Sequence, residues 1–260
     1  MSRFSKLEFQ EDLPLEHFDA APEAIPQGEA YHLHLATASF ESGDFEVALR
    51  EYAKALEHNP KNPLPWTGQV RMLIELGEYR EAKLWADKAL EMFPHEPELL
   101  AAKAVALARV GDFKAAIAFS DASFAGRGES AYLWTSRADV LLAQEQQKAD
   151  YCLERAVTLD PGNWLVHWLI SRINFHYGRL VQALAATQKA LAQDATRVQL
   201  WVQAALCQQQ LGLHASAAES AQHALRLAPW HPHALAVMAE LDTTPPFFTW
   251  WRRFRQLFRK

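Results

Sequence analysis

The stretch AYHLHLATASFESGDFEVALREYAKALEHNP, residues 30–60, decides the fold because its pattern recurs along the chain. Glycines recur 34 residues apart at Gly43, Gly77 and Gly111, and the same spacing separates Gly178 from Gly212. Small residues recur at nearly this spacing in two further series, which are Ala48, Ala82, Ala116, Ala149, Ala183 and Ala217, and Ala55, Ala89, Ser123, Ala156, Ala190 and Ala224. A period of about 34 residues with helical patterning predicts an array of helix–turn–helix units.

The residue types within one unit have physical roles. Apolar residues at helical spacing give the second helix of the first unit one buried face. Antiparallel helices about 8–10 Å apart need small residues where their axes approach most closely, and Ala36, Ala48 and Ala55 supply them. Gly43 permits the left-handed conformation that ends the first helix.

The recurring large, small, glycine, alanine and proline positions resemble the tetratricopeptide repeat. The second unit carries the pattern in full, with Trp66, Val70, Gly77, Tyr79, Ala82, Ala89, Leu90 and Pro94. The resemblance implies an all-α fold, a right-handed α-solenoid of about six helix–turn–helix repeats plus a C-terminal capping helix. We therefore predict an extended N-terminal arm at residues 1–28 and a solenoid at 29–242, with six repeats and a seventh first helix. A basic, aromatic, amphipathic helix follows at 243–260.

The fourth unit departs from the pattern because one residue is missing between Ala138 and Ala149. The deletion falls near the turn, where Gln144–Gln147 replaces the usual glycine. Either the shortened turn tightens this helical hairpin, or the deletion is a tolerated change in a loop.

The resemblance also implies that the first helix of each unit lines a concave surface. Carried over by register, the predicted groove residues are Phe40, Arg71, Arg109, Tyr132, Asp139, Trp168, Arg172, Phe175, His176 and Gln209. Aromatic and arginine side chains are favoured anchors of interfaces, so Tyr132, Trp168, Arg172 and Phe175 are the predicted hot spots. The alternative for each of them is packing between helices.

The C-terminal stretch FFTWWRRFRQLFRK, residues 247–260, has a different character. Its apolar residues form a stripe at helical spacing, namely Phe247, Trp250, Trp251, Phe254, Leu257 and Phe258, and most of its other faces carry Arg252, Arg253, Arg255, Arg259 and Lys260. With five positive charges here and a net charge of −5, the rest of the chain carries −10. Three interpretations stay open: a cap on the solenoid, a helix at an anionic membrane surface, or a helix that docks on a partner.

The N-terminal residues 1–28 lack the repeat pattern and are acidic from Glu8 onward, with prolines at Pro14, Pro22 and Pro26. These features predict an extended arm. Either this arm is poorly ordered, or it docks along the solenoid or presents a short peptide to a partner.

Several function classes are disfavoured. The acidic repeat region argues against nucleic-acid binding. No secretory signal and no apolar run of about 18 residues is present, which predicts a cytoplasmic protein. Cys152 and Cys207 read as buried free thiols. The eleven histidines lack the helical spacing of metal ligands, and no phosphate-binding or nucleophile motif is found. We predict no cofactor, no metal and no catalysis.

The sequence therefore favours a scaffold or adaptor that binds a helix or extended segment of one or more protein partners in the concave groove, in the assembly of a complex. One alternative is a membrane-peripheral assembly factor tethered by residues 247–260. Another is a regulatory protein whose superhelix closes on a small peptide.

Overall fold

The computed structural model describes residues 28–126 and 128–243, and this part of the chain is entirely helical. Its thirteen helices are α1 (Glu29–Ser42), α2 (Phe45–His58), α3 (Pro63–Glu75), α4 (Tyr79–Met92), α5 (Pro97–Arg109), α6 (Phe113–Ser123), α7 (Ala131–Leu142), α8 (Ala149–Leu159), α9 (Trp164–His176), α10 (Leu180–Gln193), α11 (Val198–Gln210), α12 (His214–Leu227) and α13 (Pro232–Thr243). Residues 1–27 of the predicted arm and residues 244–260 of the predicted terminal helix lie outside the described residues.

The helices form six antiparallel pairs followed by α13. Each odd-numbered helix up to α11 packs against the even-numbered helix after it, and α3, α5, α7, α9, α11 and α13 also contact one another in succession. The odd-numbered helices therefore form an inner layer and the even-numbered helices an outer one. This arrangement confirms the prediction of an all-α solenoid of helical pairs.

The small residues of the repeat lie where the helices approach most closely. Every member of the two series, from Ala48 to Ala217 and from Ala55 to Ala224, is buried, including Ser123. Protein interiors are packed as densely as organic crystals, so a larger side chain at these positions would push the facing helix away. The small residues thus set the spacing between the layers.

Glycine ends the inner helix in five of the six pairs. Gly43 has φ 85°, and its amide donates to the carbonyl of Phe40 at 3.0 Å while the next amide reaches Ser39 at 2.9 Å. In the fourth pair Glu145 takes the same left-handed conformation with φ 55°, and the amides of Glu145 and Gln146 reach carbonyls three and five residues back.

The hairpin turn of the fourth unit is therefore retained rather than shortened. Its inner helix ends normally, but α8 begins four residues after Glu145, whereas α2 begins two residues after Gly43. The missing residue is thus absorbed at the start of α8, which has 11 residues where α2 has 14.

Across residues 28–126 and 128–243, no helix combines the length and the apolar character needed to span a bilayer.

Gly68 offers a test of the packing between α2 and α3. A Cβ atom built on Gly68 would lie 2.5 Å from ring atoms of Tyr52, and a tyrosine ring held in a core cannot move aside freely. We expect Gly68→Ala to lower the free energy of unfolding by ~1–3 kcal/mol, measured by urea denaturation, although alanine favours a helix over glycine.

The matched control is Gly162→Ala, because a Cβ atom there meets nothing within 4 Å and the backbone is not left-handed. This change should alter stability by no more than about 0.5 kcal/mol. Equal stability of Gly68→Ala and wild type would contradict the close approach.

Candidate functional site on the concave face

All ten groove residues predicted from sequence lie on inner helices. Phe40 is on α1, Arg71 on α3, Arg109 on α5, Tyr132 and Asp139 on α7, Trp168, Arg172, Phe175 and His176 on α9, and Gln209 on α11. The structure brings most of them into two clusters and leaves Gln209 apart from both. Their role in binding a partner stays a prediction.

The first cluster joins the first unit to the fifth. The ring of Trp168 lies 5.9 Å from that of Phe40 and stacks on that of Phe45 at 6.0 Å. Only 1% of Trp168 is exposed. The solenoid thus curls until α1 touches α9, and the most prominent predicted hot spot is covered by the chain itself.

Polar contacts accompany this closure. The guanidinium of Arg172 donates to the carboxylate of Glu75 from Nε at 2.6 Å and lies over the ring of Phe45 at 4.5 Å. Arg197, just before α11, is 3.3 Å from the carboxylate of Glu41, and Gln199 donates to the main-chain carbonyl of Glu41. These contacts tie the first two units to the fifth and sixth.

The second cluster is a buried ion pair. Arg109 donates to both carboxylate oxygens of Asp139, at 2.9 and 2.5 Å, and these side chains are 8% and 5% exposed. The hydroxyl of Tyr177 donates to the same carboxylate at 2.7 Å. Burial, with the charge of Asp139, raises the pKa of Tyr177 well above its ordinary value. Tyr177 therefore stays protonated as a donor, and the network fixes α5 and α7 to the end of α9.

The remaining predicted residues lie at the edges of these clusters. Phe175 is half-buried, and His176 is exposed with its ring edge-on to those of Tyr79 and Tyr177. Gln209 donates to Glu240 of α13 at 2.8 Å, well along the inner layer from Trp168.

Arg71 stands between the clusters. Its guanidinium lies 3.9 Å from the ring centre of Tyr132 and 5.1 Å from that of Phe40. Burial raises the pKa of Tyr132 to about 12. A cavity of about 40 Å³ adjoins these residues and is bordered by Arg71, Glu75, Tyr132, Ser136, Asp139 and apolar side chains.

Sequence reasoning missed Tyr177 and Ser136. Tyr177 had a detectable signal, because it directly precedes Gly178 at a position held by Leu76, Val110 and Leu211 in other units. Three of the other five units carry an aliphatic residue there, so a hydroxyl-bearing aromatic indicates a polar partner. Ser136 had no such signal.

The described helices show no arrangement of side chains typical of a metal site, and their two thiols are buried. No group of three or more histidine, cysteine, aspartate or glutamate side chains in residues 28–126 and 128–243 is arranged to hold a metal ion. Cys152 and Cys207 are buried and unpaired, and burial raises the pKa of both thiols. A raised pKa makes a thiol less reactive.

Comparison with protein families gives two matches, both described as tetratricopeptide repeat. One covers residues 39–104 and the other residues 198–229. These spans include most of the first two units and the last complete unit.

Two curated proteins match parts of the chain. The photosystem I assembly protein Ycf3 of Prochlorococcus marinus is 35% identical over 92 residues, which is 33% of this chain and 50% of that protein. A homolog of protein SGT1 from Oryza sativa subsp. japonica is 32% identical over 81 residues, which is 31% of this chain and 22% of that protein. The matches thus span half or less of these relatives.

Solved structures share the fold. A thermophilic TPR protein of Thermus thermophilus aligns with a TM-score of 0.54 at 23% identity, over 69% of this chain and 98% of that one. A tetratricopeptide repeat protein from Parabacteroides merdae aligns with the same TM-score at 17% identity, over 85% of this chain and 86% of that one. At these identities the likeness concerns the fold alone.

The buried pair can be tested by removing one charge. Asp139→Asn would leave the guanidinium of Arg109 buried without a counter-charge, which typically costs ~3–5 kcal/mol. We expect a loss of this size in the free energy of unfolding, measured by urea denaturation.

Asp121→Asn is the matched control. Asp121 also pairs with an arginine, Arg137, at 2.7 Å, but its side chain is 58% exposed. Exposed pairs contribute ~0–1 kcal/mol, so this variant should be close to wild type. Equal losses in the free energy of unfolding of the two variants would show that the buried Arg109–Asp139 pair stabilises the fold no more than the exposed Arg137–Asp121 pair does.

Proposed function

Because this chain belongs to the tetratricopeptide-repeat family, we propose that it is a non-catalytic scaffold or adaptor that holds a segment of a partner protein on its concave face. Proteins of this family generally mediate protein–protein interactions and the assembly of complexes. The partner segment is a helix or an extended stretch. Its binding surface is centred on the cluster of Phe40, Arg71, Tyr132, Trp168 and Arg172.

The main support for this proposal is that these five side chains lie close together. They come from four different inner helices, yet their rings and guanidinium groups are in mutual contact. Tryptophan, tyrosine and arginine dominate the binding energy of protein interfaces.

Binding exchanges existing contacts for new ones. Trp168 is covered by Phe40 and Phe45, so a partner side chain replaces these rings on the indole. The indole Nε1 of Trp168 is buried and has no hydrogen-bond partner among the described residues. A buried donor without an acceptor is unfavourable, and a carbonyl of the partner would satisfy it.

The closed groove also supports a second proposed function, in which the protein is a regulator that senses a peptide at the same surface. The contacts of Glu41 with Arg197 and of Glu75 with Arg172 join units that are far apart in sequence. Both pairs are partly exposed, and ion pairs lose strength with exposure to solvent, so a peptide that brings its own charges can exchange with them. The scaffold and the peptide-sensing regulator differ in the partner that they bind but use the same site.

Assembly of a complex is the process we propose. The relative from Prochlorococcus marinus carries the words photosystem I assembly in its name, and its match with this chain extends over less than half of the solenoid. It supports a role in assembly as a class and does not identify the complex.

Photo-crosslinking in the native cell tests the groove. We expect benzoylphenylalanine in place of Phe175, a predicted groove residue on the inner helix α9, to form a covalent adduct with a partner. The aromatic replacement is conservative at a half-buried ring, and the adduct is measured by a mass shift on denaturing gels and by mass spectrometry.

The control position is Tyr151, which is also aromatic but lies largely exposed on the outer helix α8. Adducts from Tyr151 alone would place the interface on the convex side. Absence of an adduct from Phe175 would contradict binding in the groove.

For the C-terminal stretch we propose a second role, attachment to an anionic membrane surface. It rests on the sequence of residues 247–260, where five cations alternate with an aromatic stripe and no anion is present. Such helices lie at the membrane interface, held by apolar burial and by attraction to anionic lipids.

Flotation with lipid vesicles tests this attachment. Full-length protein should float with vesicles that contain phosphatidylglycerol and much less with pure phosphatidylcholine, since each basic residue adds ~1 kcal/mol at an anionic surface. Replacing Arg252, Arg253, Arg255 and Arg259 by glutamine in the full chain should abolish flotation. Protein that stays in the soluble fraction with both vesicle types rules the attachment out.

A further inference from the structure

We propose that the outer face of the second unit is a docking surface for an acidic stretch of the same chain, EDLPLEHF, residues 11–18. This surface, the outer patch, is formed on α4 by Arg80, Leu84, Trp85, Lys88 and Met92. Because α4 is an outer helix, the outer patch is separate from the concave groove of the proposed function and does not depend on it.

The outer patch exposes more large apolar side chains than any other outer helix of the described residues. Leu84 is 64% exposed, Met92 46% and Trp85 36%, and no other outer helix within 28–126 and 128–243 has more than two such side chains. Apolar side chains scattered singly over a surface are ordinary, but a group of them on one face marks an interaction site.

Two cations lie among these apolar side chains. Arg80, Leu84, Lys88 and Met92 follow one another at intervals of four residues and therefore share one face of α4. The ammonium of Lys88 lies 5.2 Å from the ring centre of Trp85. The patch thus combines an apolar surface with positive charge.

The two cations are available for an acidic ligand. Neither Arg80 nor Lys88 forms an ion pair with any residue in 28–126 or 128–243, although Glu81 and Glu91 belong to the same helix. The third carboxylate of α4, that of Asp87, is already held by two lysines at 3.4 and 2.6 Å. An incoming carboxylate therefore meets cations without competing for an existing pair.

The N-terminal sequence matches the outer patch in both respects. Residues 7–27 contain six acidic residues and no basic one. Within 11–18, acidic and apolar side chains are interspersed, namely Glu11, Asp12, Leu13, Leu15, Glu16 and Phe18. Burial of the apolar side chains would supply binding energy, and the opposite charges would fix the orientation.

The start of α1 lies close to the outer patch. Glu29 accepts hydrogen bonds from the side-chain amides of Asn59 and Asn62, in the turn before α3. The indole of Trp66 donates to a main-chain carbonyl of the same turn at 2.9 Å, and its ring lies 5.8 Å from that of Trp85. One turn and one side chain thus separate the beginning of α1 from the patch.

The connecting segment is long enough to reach the patch. Nine residues lie between Phe18 and Gly28, and an extended residue spans ~3.3 Å. The segment therefore covers about 30 Å when extended, which exceeds the width of a helical pair whose axes lie 8–10 Å apart.

Charge decides against two other occupants of the outer patch. Residues 247–260 carry five positive charges and no negative one, so Arg80 and Lys88 would repel them. In a two-fold contact between copies of the chain the same surface faces itself, which would bring the cations of both copies together. Residues 11–18 meet neither obstacle.

Photo-crosslinking within the purified full-length protein tests the docking. With benzoylphenylalanine in place of Phe18, we expect an intramolecular adduct with α4, mapped by digestion and mass spectrometry. Added salt should lower its yield because it screens exposed charges. An adduct with the inner helices alone, a covalent dimer on a denaturing gel, or no adduct would overturn the proposal.

An apolar substitution separates docking from the effect of the tether. Leu84→Ser should lower the yield of the adduct at least about threefold, because an apolar contact is lost. Val181→Ser is the matched control, since Val181 is 67% exposed on the outer helix α10, and its yield should equal that of wild type. An undiminished yield in Leu84→Ser would show that the tether alone brings Phe18 to α4 and would overturn the docking.

Exchange of charges tests the polar part of the contact. Changing Arg80 and Lys88 to glutamate should lower the yield at least about twofold through repulsion, and adding lysine at Glu11, Asp12 and Glu16 should restore it. The matched control changes two other exposed lysines, Lys114 and Lys148, to glutamate and should leave the yield unchanged. Failure of the exchanged charges to restore the yield would overturn the assignment of residues 11–18 to this patch.

Discussion

The whole architecture depends on how closely two helices can approach. Two positions in every outer helix hold alanine, or serine once, and all of these residues are buried. Because the side chain at the contact sets the distance between axes, the same small residues give each unit nearly the same geometry. Repetition of one geometry bends the array steadily, and the bend brings α1 against α9. The closure of the concave face thus follows from the size of side chains on the far side of each unit.

The inner layer combines two kinds of polar contact with different consequences. The Arg109–Asp139 pair joins neighbouring inner helices deep inside the wall, where removal of one charge is costly. The contacts of Arg172 and Arg197 join units across the groove and are more exposed. The buried pair therefore stabilises the wall of the solenoid, whereas the ion pairs across the groove are the more exposed part of a closure that also includes the packing of Trp168 against Phe40 and Phe45.

The repeat period predicted the fold class and the helical pairs, and the resemblance to the tetratricopeptide repeat assigned the ten groove residues to first helices, where the structure has them; their role in binding stays a prediction. The period could not predict the contacts between those residues, because a period describes each unit and its neighbour. Arg172 and Glu75 are 97 residues apart, and Gln199 and Glu41 are 158 apart. Their contact depends on the accumulated curvature of several units. For the same reason, no pattern in the sequence predicted which groove arginines pair with a carboxylate. The deletion in the fourth unit was located to within a few residues, but the backbone showed that α8 absorbs it.

The contact of the first unit with the fifth and sixth units distinguishes this repeat array from an open solenoid. In an open solenoid each unit contacts only its neighbours, and unfolding can begin at a free end and spread inward. Here the first unit is held by Trp168 and by a main-chain carbonyl bonded to Gln199. Fraying of α1 and α2 must therefore break contacts with two distant units as well as with α3. Unfolding of this array is therefore more cooperative than that of an open solenoid. Loss of the first unit would also remove contacts that stabilise the fifth and sixth units.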